Sequence, residues 1–210
     1  MRIERLGENA IILVDLDRPA YKVAESLRRR VPELLDVVAA YETVGLYFDE
    51  PLVPGRIEAA LDQDPEGESA SVMHEIPVCY GLGEDRGEVC ERLGVSEAEL
   101  VARHSEQPYR CAAVGFKPGF AYLGDLTEEI AGLPRRPTPR VRVAAGSVGI
   151  TGRQTAVYPC ECPGGWWLIG KTPLIVADPD TDFFPIAAGD EVRFVPIDVA
   201  RFQELEGSRL

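Results

Sequence analysis

Hydrophobic and polar positions along the first eighty residues follow two different periods. Runs of β-branched, aliphatic and aromatic residues predict strands over 3–6, 10–16, 36–41, 44–49 and 72–80. Apolar residues at helical spacing predict one helix that begins at Pro19 and another that begins at Pro54, because proline is favoured at the first position of a helix. The order ββαββα, followed by a strand, indicates a small α+β domain with an antiparallel sheet.

After residue 80 the pattern changes. Helices are predicted over 85–93 and 97–104, and Ser96 followed by Glu99 is typical of a capping box. From there on the chain is rich in glycine and proline, and short strands are predicted over 109–116, 141–144, 155–158, 166–169, 174–177 and 191–196. Many short strands at close spacing are typical of a barrel or sandwich.

These patterns predict an α+β protein with two domains. A small α+β domain is expected over residues 1–80 and a β-barrel domain over residues 81–210, with the boundary near 78–84. The polar and acidic segment 62–71 is predicted to be a surface loop or linker.

Composition narrows the class of protein. The chain has 210 residues, 45% of them hydrophobic, which is enough to bury a sizeable core and excludes a disordered chain. A net charge of −13 excludes a nucleic-acid-binding surface over the whole molecule. The apolar run at 10–14 is too short for a signal peptide or a membrane span, and five cysteines, an odd number, favour free thiols. We therefore expect a cytoplasmic protein without nucleic-acid or membrane partners.

Basic residues are concentrated in one part of the chain. Residues 135–171 contain six basic residues and one acidic residue, whereas residues 45–105 contain four basic and fourteen acidic residues. Two hypotheses fit this pattern. One is an anion site, since arginine donates paired hydrogen bonds to carboxylate or phosphate, and the other is a set of solvated loop charges that balance the acidic part.

The catalytic motifs in the sequence are incomplete. The segment 165–172 (GWWLIGKT) fits the phosphate-binding pattern G-x-x-x-x-G-K-[ST], but its Trp-Trp-Leu-Ile run predicts a strand and not the flexible loop that such a site needs. Ser147 lies outside any G-x-S-x-G motif, and the two cysteines at 160 and 162 lack the spacing of a metal site. His74 is predicted to be a surface residue, and His104 is a candidate for lining a site. We predict no metal site, and the sequence assigns no catalytic residue.

Six motifs follow one another in the second half of the chain. They are GFKPGFAYLG at 115–124, LPRRPTPR at 133–140, AGSV at 145–148, GRQT at 152–155 with Tyr158 and Pro159, PGGW at 163–166, and LIGKTP at 168–173. Together they resemble the family that contains the B subunit of 5-oxoprolinase, the kinase inhibitor KipI and the subunit-1 region of allophanate hydrolase. The resemblance is dense over residues 77–196 and weaker but collinear before them.

The resemblance implies a small α+β amino-terminal domain followed by a cyclophilin-like β-barrel. It also implies a component like the B subunit of an ATP-dependent 5-oxoprolinase, which works with a C-like barrel subunit and an A-like hydrolase subunit to convert 5-oxoproline, ATP and water to glutamate, ADP and phosphate. ATP, with Mg, is then a substrate of the assembled complex, and we expect no intrinsic cofactor. The chain alone is expected to be inactive, and the aromatic-rich segment 117–123 is expected to contact the partner.

Polar residues inside or next to the motifs are the ligand-binding candidates, because polar groups among apolar strands must find partners. They are His104, Arg140, Ser147, Gln154, Thr155, Tyr158, Lys171 and Thr172. Arg140, Gln154 and Lys171 are predicted to converge on a carboxylate or phosphoryl oxygen. The aromatic residues of the motifs fit a barrel core.

The motifs are shared by family members with other functions, so the sequence leaves alternatives open. One is a KipI-like inhibitor of a sensor histidine kinase, and another is an allophanate hydrolase subunit 1-like component. A prolyl isomerase is suggested by fold analogy alone. Neighbouring genes for C-like and A-like subunits would favour the oxoprolinase, and a sensor-kinase operon would favour the inhibitor.

Overall fold

The computed structural model describes residues 1–50, 55–63 and 71–210. The chain divides into two compact units, Met1–Ser71 and Val72–Leu210. Pro54, the predicted start of the second helix, and residues 64–70 of the predicted surface loop lie outside the described residues.

The first unit is an antiparallel sheet with helices. Its elements in chain order are β1 (Arg2–Arg5), β2 (Ala10–Val14), α1 (Ala20–Arg30), β3 (Asp36–Ala40), β4 (Thr43–Tyr47) and α2 (Arg56–Asp62). The strands pair in the order β1-β2-β4-β3. Helix α1 begins at Ala20, one residue after the predicted start at Pro19, and it ends on three arginines whose charge suits the carboxyl end of a helix. Fully buried leucines of β2, β4 and α1 (Leu13, Leu46 and Leu27) form the core.

The second unit holds the remaining elements. They are β5 (Met73–Val78), α3 (Arg86–Leu93), α4 (Glu97–Ser105), β6 (Tyr109–Val114), β7 (Ala121–Gly124), β8 (Arg140–Val143), β9 (Ser147–Thr151), β10 (Gln154–Val157), β11 (Cys162–Gly164), β12 (Trp167–Lys171), β13 (Glu191–Pro196) and α5 (Val199–Leu205), with short 3₁₀ turns at Tyr80–Leu82 and Pro179–Thr181. No helix in the described parts of either unit has the length and apolar character that a membrane crossing requires.

The strands of the second unit run round in a closed ring. They pair in the order β5-β13-β6-β7-β10-β9-β12, with β5 and β13 parallel and the other pairs antiparallel. Cys79, directly after β5, exchanges backbone hydrogen bonds with Lys171 at the end of β12, at 2.8 and 3.1 Å. This bridge joins the first and last strands of the sheet, so the sheet closes on itself. Strands β8 and β11 form a separate two-stranded ribbon.

The division between the units falls earlier in the chain than the expected boundary at residue 80. Strand β5, which the sequence assigned to the first domain, pairs along its whole length with β13, from Met73 with Glu191 to Val78 with Pro196. A parallel partner from the far end of the chain cannot be identified from local pattern, which is why the sequence placed this strand with the domain before it.

Some of the elements predicted from the sequence are confirmed, and others are wrong or were not predicted. The capping box is confirmed: the Ser96 hydroxyl accepts from the Glu99 N–H at 3.2 Å, and the Glu99 carboxylate accepts from the Ser96 N–H at 2.7 Å. The predicted strand 174–177 is wrong, since this segment makes only an isolated bridge between Ile175 and Arg209. Strand β9 was not predicted, because all five of its residues are buried and it therefore lacks alternation.

The second unit has two apolar clusters, and each of the two adjacent tryptophans packs into a different one. Successive residues of a strand point to opposite faces. Trp167 therefore packs into the large cluster inside the ring, with Ile76, Leu123 and Phe194, while Trp166 packs into a smaller cluster with Phe120. Most of the segment 165–172 is thus a strand (β12), as its bulky residues predicted, and Trp166 directly precedes that strand.

Candidate functional site

A cavity of about 240 Å³ opens over the smaller apolar cluster. We call it the aromatic pocket. Its lining residues are Phe116, Phe120, Tyr122, Arg135, Pro139, Tyr158, Pro163, Gly164, Gly165 and Trp166. These residues come from four of the motifs in the sequence, which lie up to fifty residues apart in the chain and meet here.

Phe120 is the centre of the aromatic pocket. Its ring makes edge-to-face contacts with Phe116, Tyr122, Tyr158 and Trp166, with centroid distances of 5.3, 4.9, 5.4 and 5.6 Å. Edge-to-face pairs are the favoured aromatic geometry and contribute about 0.5–1.5 kcal/mol each beyond area burial. Phe120, Tyr158 and Trp166 are buried and form a rigid floor, whereas Phe116 is 58% exposed.

The turn before Phe120 places Phe116 at the open side of the pocket. Phe116 has a φ of +68°, a left-handed conformation that costs a non-glycine residue roughly 1–2 kcal/mol. Gly119 has a φ of +75°, and a Cβ there would lie 2.1 Å from the Ala177 Cβ, so only glycine fits. The strain at Phe116 is tolerated beside a pocket, where such outliers concentrate.

Gly164 allows the wall of the pocket to approach Tyr158. A Cβ at Gly164 would lie 2.5 Å from the Tyr158 hydroxyl oxygen and 2.7 Å from ring atom Cε1. At the neighbouring Gly165, a Cβ would meet nothing closer than Pro139, at 3.7 Å. The two adjacent glycines therefore differ: the first is required by close packing, and the second has room for a methyl group.

We expect Gly164→Ala to displace the Tyr158 ring, because the new methyl group overlaps it. Overpacking of this kind costs about 1–3 kcal/mol, so the free energy of unfolding should fall by that amount. Urea unfolding followed by tryptophan fluorescence measures the change, since both tryptophans are in the second unit. Gly165→Ala is the matched control and should leave stability unchanged or slightly raised. Equal losses in the two variants would contradict this account of the wall.

The buried carboxylate of Asp85 holds the other wall in place. Its Oδ1 accepts from Arg136 at 2.7 Å and from Arg140 at 2.6 Å, and its Oδ2 accepts from the Leu168 N–H at 2.7 Å. The Asp85 N–H donates in turn to the Leu168 carbonyl at 2.8 Å. Asp85 therefore ties the start of α3 to β12 and to the segment that carries Arg135 and Pro139.

Two hydrogen bonds and two cation–π contacts also fix this wall. The Arg136 N–H donates to the Gly165 carbonyl at 2.8 Å, and the Trp167 indole N–H donates to the Pro134 carbonyl at 2.7 Å. The guanidinium groups of Arg136 and Arg92 each lie 4.8 Å from the centroid of the Trp167 ring, close enough for a cation–π interaction. The proline-rich segment is thus attached at both its backbone and its side chains.

Arg135 supplies the positive charge of the pocket. Its side chain is exposed and lines the pocket, and within the described residues no carboxylate lies within ion-pair distance of it. Four other basic residues of the segment 135–171 are in ion pairs: Arg136 and Arg140 with Asp85, Arg142 with Glu161 and Arg153 with Asp125. Most of the basic surplus is therefore neutralised locally. Arg135 and Lys171 make no ion pair within the described residues, and of these two only Arg135 lines the pocket.

The pocket is suited to binding and lacks groups for acid–base chemistry near neutral pH. Burial raises the pKa of Tyr158 to about 12, although Trp166, Arg135 and Arg140 act in the opposite direction. The described lining residues include no histidine, carboxylate, cysteine or serine. A reacting group would therefore have to come from outside the pocket.

His104 lies in the core of the second unit, away from any solvent. It is fully buried, its ring stacks on Phe194 with a centroid distance of 4.5 Å, and its Nδ1 and Nε2 lie 2.7 Å from the Tyr80 hydroxyl and 2.8 Å from the Thr155 hydroxyl. The Thr155 hydroxyl donates to the Gly149 carbonyl, so Nε2 donates to Thr155 and Nδ1 accepts from Tyr80. Desolvation lowers the pKa of His104 to about 3. This geometry holds the histidine neutral, as a partner of core hydroxyls.

The other predicted candidates lie in different places. Tyr158 lines the aromatic pocket, and Ser147 and Thr172 are buried at neighbouring backbone positions of the ring. Lys171 pairs with Ser147 at one end of β9, and Gln154 pairs with Thr151 at the other, which puts their backbones about 13 Å apart at 3.3 Å per residue. Arg140 contacts Asp85. The structure does not bring Arg140, Gln154 and Lys171 together.

The segment 117–123 also differs from its expected role as a surface. Phe120 and Leu123 are buried, and the exposed aromatic side chains at this end are Phe116 and Phe184. Neither Arg135 nor Asp85 was among the predicted site residues. The run of basic residues indicated the region of Arg135, but no local signal distinguishes Arg135 from Arg136. Asp85 was missed because it lies 51 and 55 residues before the two arginines that it contacts.

In the described parts of the chain, no group of three or more histidine, cysteine, aspartate or glutamate side chains is placed to hold a metal ion. His74, predicted at the surface, has a largely buried side chain beside Asp190, with 3.1 Å between Nε2 and Oδ2.

Comparison with curated proteins identifies full-length relatives. The chain is 41% identical over 206 residues to the 5-oxoprolinase B subunit of Escherichia coli O157:H7, with 91% of this chain and 94% of the relative covered. It is 47% identical over 225 residues to the 5-oxoprolinase B subunit of Bacillus subtilis (strain 168), with 93% and 92% covered. These relatives favour the oxoprolinase hypothesis over the kinase-inhibitor and allophanate hypotheses.

Solved structures share the fold. A crystal structure of TTHA0988 matches with a TM-score of 0.79 and 37% identity over 90% of this chain, which spans only 40% of that protein. The Kluyveromyces lactis urea amidolyase matches with a TM-score of 0.66 over 97% of this chain and 15% of its own, and at 14% identity it shows the fold alone. The model of the carboxyltransferase domain, subdomains C and D, matches residues 1–185. With that match and relatives above 40% identity over nearly their whole length, the chain belongs to the carboxyltransferase-domain family, subdomains C and D.

Proposed function

We propose that this chain is the B subunit of an ATP-dependent 5-oxoprolinase and acts only with partner subunits. The observation that carries the proposal is the 41% and 47% identity to two 5-oxoprolinase B subunits over more than nine-tenths of this chain. The assembled enzyme converts 5-oxoproline, ATP and water to glutamate, ADP and phosphate. Opening an unstrained lactam is difficult, and phosphorylation of the amide oxygen would provide the driving force.

The need for partner subunits is supported by the chemistry of the aromatic pocket. Its described lining offers aromatic faces, one arginine and tyrosine hydroxyls, and burial raises the pKa of Tyr158 to about 12, still further above neutral pH. Ring opening needs a group that activates water and a site for the phosphates of ATP with Mg. We assign both to the partners, a C-like barrel subunit and an A-like hydrolase subunit.

The closed ring of strands is consistent with a cyclophilin-like barrel, and we include that fold in the proposal for residues 72–210. We also propose that the C-like subunit contacts this unit near Phe116 and Phe184. Both side chains are exposed, by 58% and 42%, and exposed aromatic residues are enriched in protein interfaces.

We expect the chain to be inactive alone and to form glutamate from 5-oxoproline when it is co-expressed with its cognate C-like and A-like subunits. The test measures ATP-dependent glutamate formation by the chain, by each pair and by the complete set, with size-exclusion chromatography of each mixture. Turnover by the purified chain alone would overturn the requirement for partners. Clean separation of the three subunits together with no activity in any mixture would overturn the assignment itself.

A further inference from the structure

We propose that the aromatic pocket binds 5-oxoproline, with the lactam ring against Phe120, Tyr158 and Trp166 and the carboxylate on the Arg135 guanidinium. This inference rests on the proposed function and assigns its substrate to named residues. The pocket is thus the place where this chain holds the substrate while partner subunits supply the chemistry.

The size and the walls of the pocket suit a small flat ring. A cavity of about 240 Å³ lies below the range of about 300–1,000 Å³ that drug-sized ligands occupy. Its floor consists of aromatic side chains held by edge-to-face contacts around Phe120, so the floor is in place before a ligand binds. A planar lactam presents two largely apolar faces to such walls and needs polar contacts only at its edge.

The charge of the pocket suits a single carboxylate. Arg135 lines the pocket and, within the described residues, carries no ion pair, whereas Arg136 and Arg140 beside it are both bound to Asp85. A guanidinium group donates two parallel hydrogen bonds to a carboxylate. Since the whole chain carries a charge of −13, an arginine that faces a pocket without a carboxylate partner provides a local site for an anion.

The same features argue against a nucleotide in this pocket. A triphosphate needs several cationic or backbone N–H donors, and the described lining offers one arginine together with Pro139 and Pro163, which have no N–H. Gly164 also serves packing, since it lies against Tyr158. The aromatic pocket is therefore assigned to the ring substrate and not to ATP.

The experiment titrates the purified full chain with 5-oxoproline and follows tryptophan fluorescence, to which Trp166 of the pocket and the neighbouring Trp167 both contribute, with calorimetry as a second measurement. We expect saturable binding of 5-oxoproline, and binding weaker by tenfold or more for 2-pyrrolidone, which has the lactam ring but no carboxylate. Arg135→Gln should weaken 5-oxoproline binding by about ten- to a hundredfold and leave 2-pyrrolidone binding unchanged. Arg142→Gln is the matched control, since Arg142 is an exposed arginine of the same segment paired with Glu161.

Each outcome decides between the two proposals. No saturable binding of 5-oxoproline at millimolar concentration, or equal losses in Arg135→Gln and Arg142→Gln, overturns the pocket assignment. Binding of ATP that is lost in Arg135→Gln also overturns it. If the complete enzyme nevertheless forms glutamate, and does so equally well with Arg135→Gln, the proposed function stands and only the pocket assignment fails. An inactive complete enzyme with intact binding to this chain would overturn the proposed function instead.

Discussion

Asp85→Ala is expected to lower the free energy of unfolding of the second unit by about 3 kcal/mol or more. The carboxylate is 4% exposed, and it accepts from Arg136, Arg140 and the Leu168 N–H at 2.6–2.7 Å. Removing one partner of a buried ion pair costs about 3–5 kcal/mol, because the remaining charges stay buried without compensation. The two arginine side chains are 20–25% exposed, so water compensates part of the loss and the lower end of that range applies.

The measurement is urea unfolding followed by the fluorescence of Trp166 and Trp167, which lie in the same unit as Asp85. Glu84→Gln is the matched control: Glu84 precedes Asp85 and lies 3.4 Å from the same Arg140, but its side chain is 61% exposed. Exposed ion pairs contribute at most about 1 kcal/mol, so this variant should resemble the natural protein. A loss below 1 kcal/mol in Asp85→Ala would mean that this carboxylate does not anchor the wall of the aromatic pocket.

The ion pairs of Asp85 with Arg136 and Arg140 show how much of the site could be predicted from the sequence. The run of basic residues correctly indicated a region of unusual charge, and the motifs around it do meet in one place. The sequence could not show that Arg136 and Arg140 bind a carboxylate 51 and 55 residues earlier, because that contact joins segments far apart in the chain. Arg140 was predicted to bind an anionic ligand, and the anion that it contacts is the Asp85 carboxylate of the same chain.

The aromatic residues of the motifs illustrate a second limit. The motif aromatics fitted a barrel core, and Phe120 and Trp166 do lie in a buried cluster, although the segment 117–123 with Phe120 was expected to contact a partner. Whether a core cluster is sealed or opens to solvent depends on loops that cross it. Here Gly164, Gly165 and the turn at Phe116 border a cavity, which only the folded chain shows.

The buried position of His104 could have been predicted from the sequence. It follows Leu100 by four residues on helix α4, and both side chains are fully buried on the same face of that helix. Helical spacing thus indicated a core position. The position near the motifs suggested a ligand instead, and the structure places the ring between Phe194 and two buried hydroxyl groups.

The burial of His104 predicts a loss of stability in acid. Its pKa is lowered from 6.5 to about 3 by desolvation, so below pH 6.5 the unfolded chain takes up a proton that the folded chain does not. The free energy of unfolding should therefore be unaffected by this group above pH 6.5. Between pH 6.5 and about 3 it should fall by up to about 1.4 kcal/mol per pH unit. Tyr80 and Tyr109, which contact the ring, are protonated throughout this range, since the ordinary pKa of tyrosine lies well above it and burial raises the pKa of both further.

The test compares unfolding of the natural protein and His104→Gln between pH 8 and pH 4, so that the carboxylates common to both cancel. Glutamine loses the stacking on Phe194, and the variant should be less stable at pH 8. The gap between the two proteins should narrow as the pH falls, because only the natural protein loses the histidine contribution. His74→Gln is the matched control, since it removes the other histidine of the chain, and the acid-dependent loss due to His104 should persist in it. A gap that stays constant across this pH range would show that His104 is protonated as readily in the folded chain as in the unfolded one.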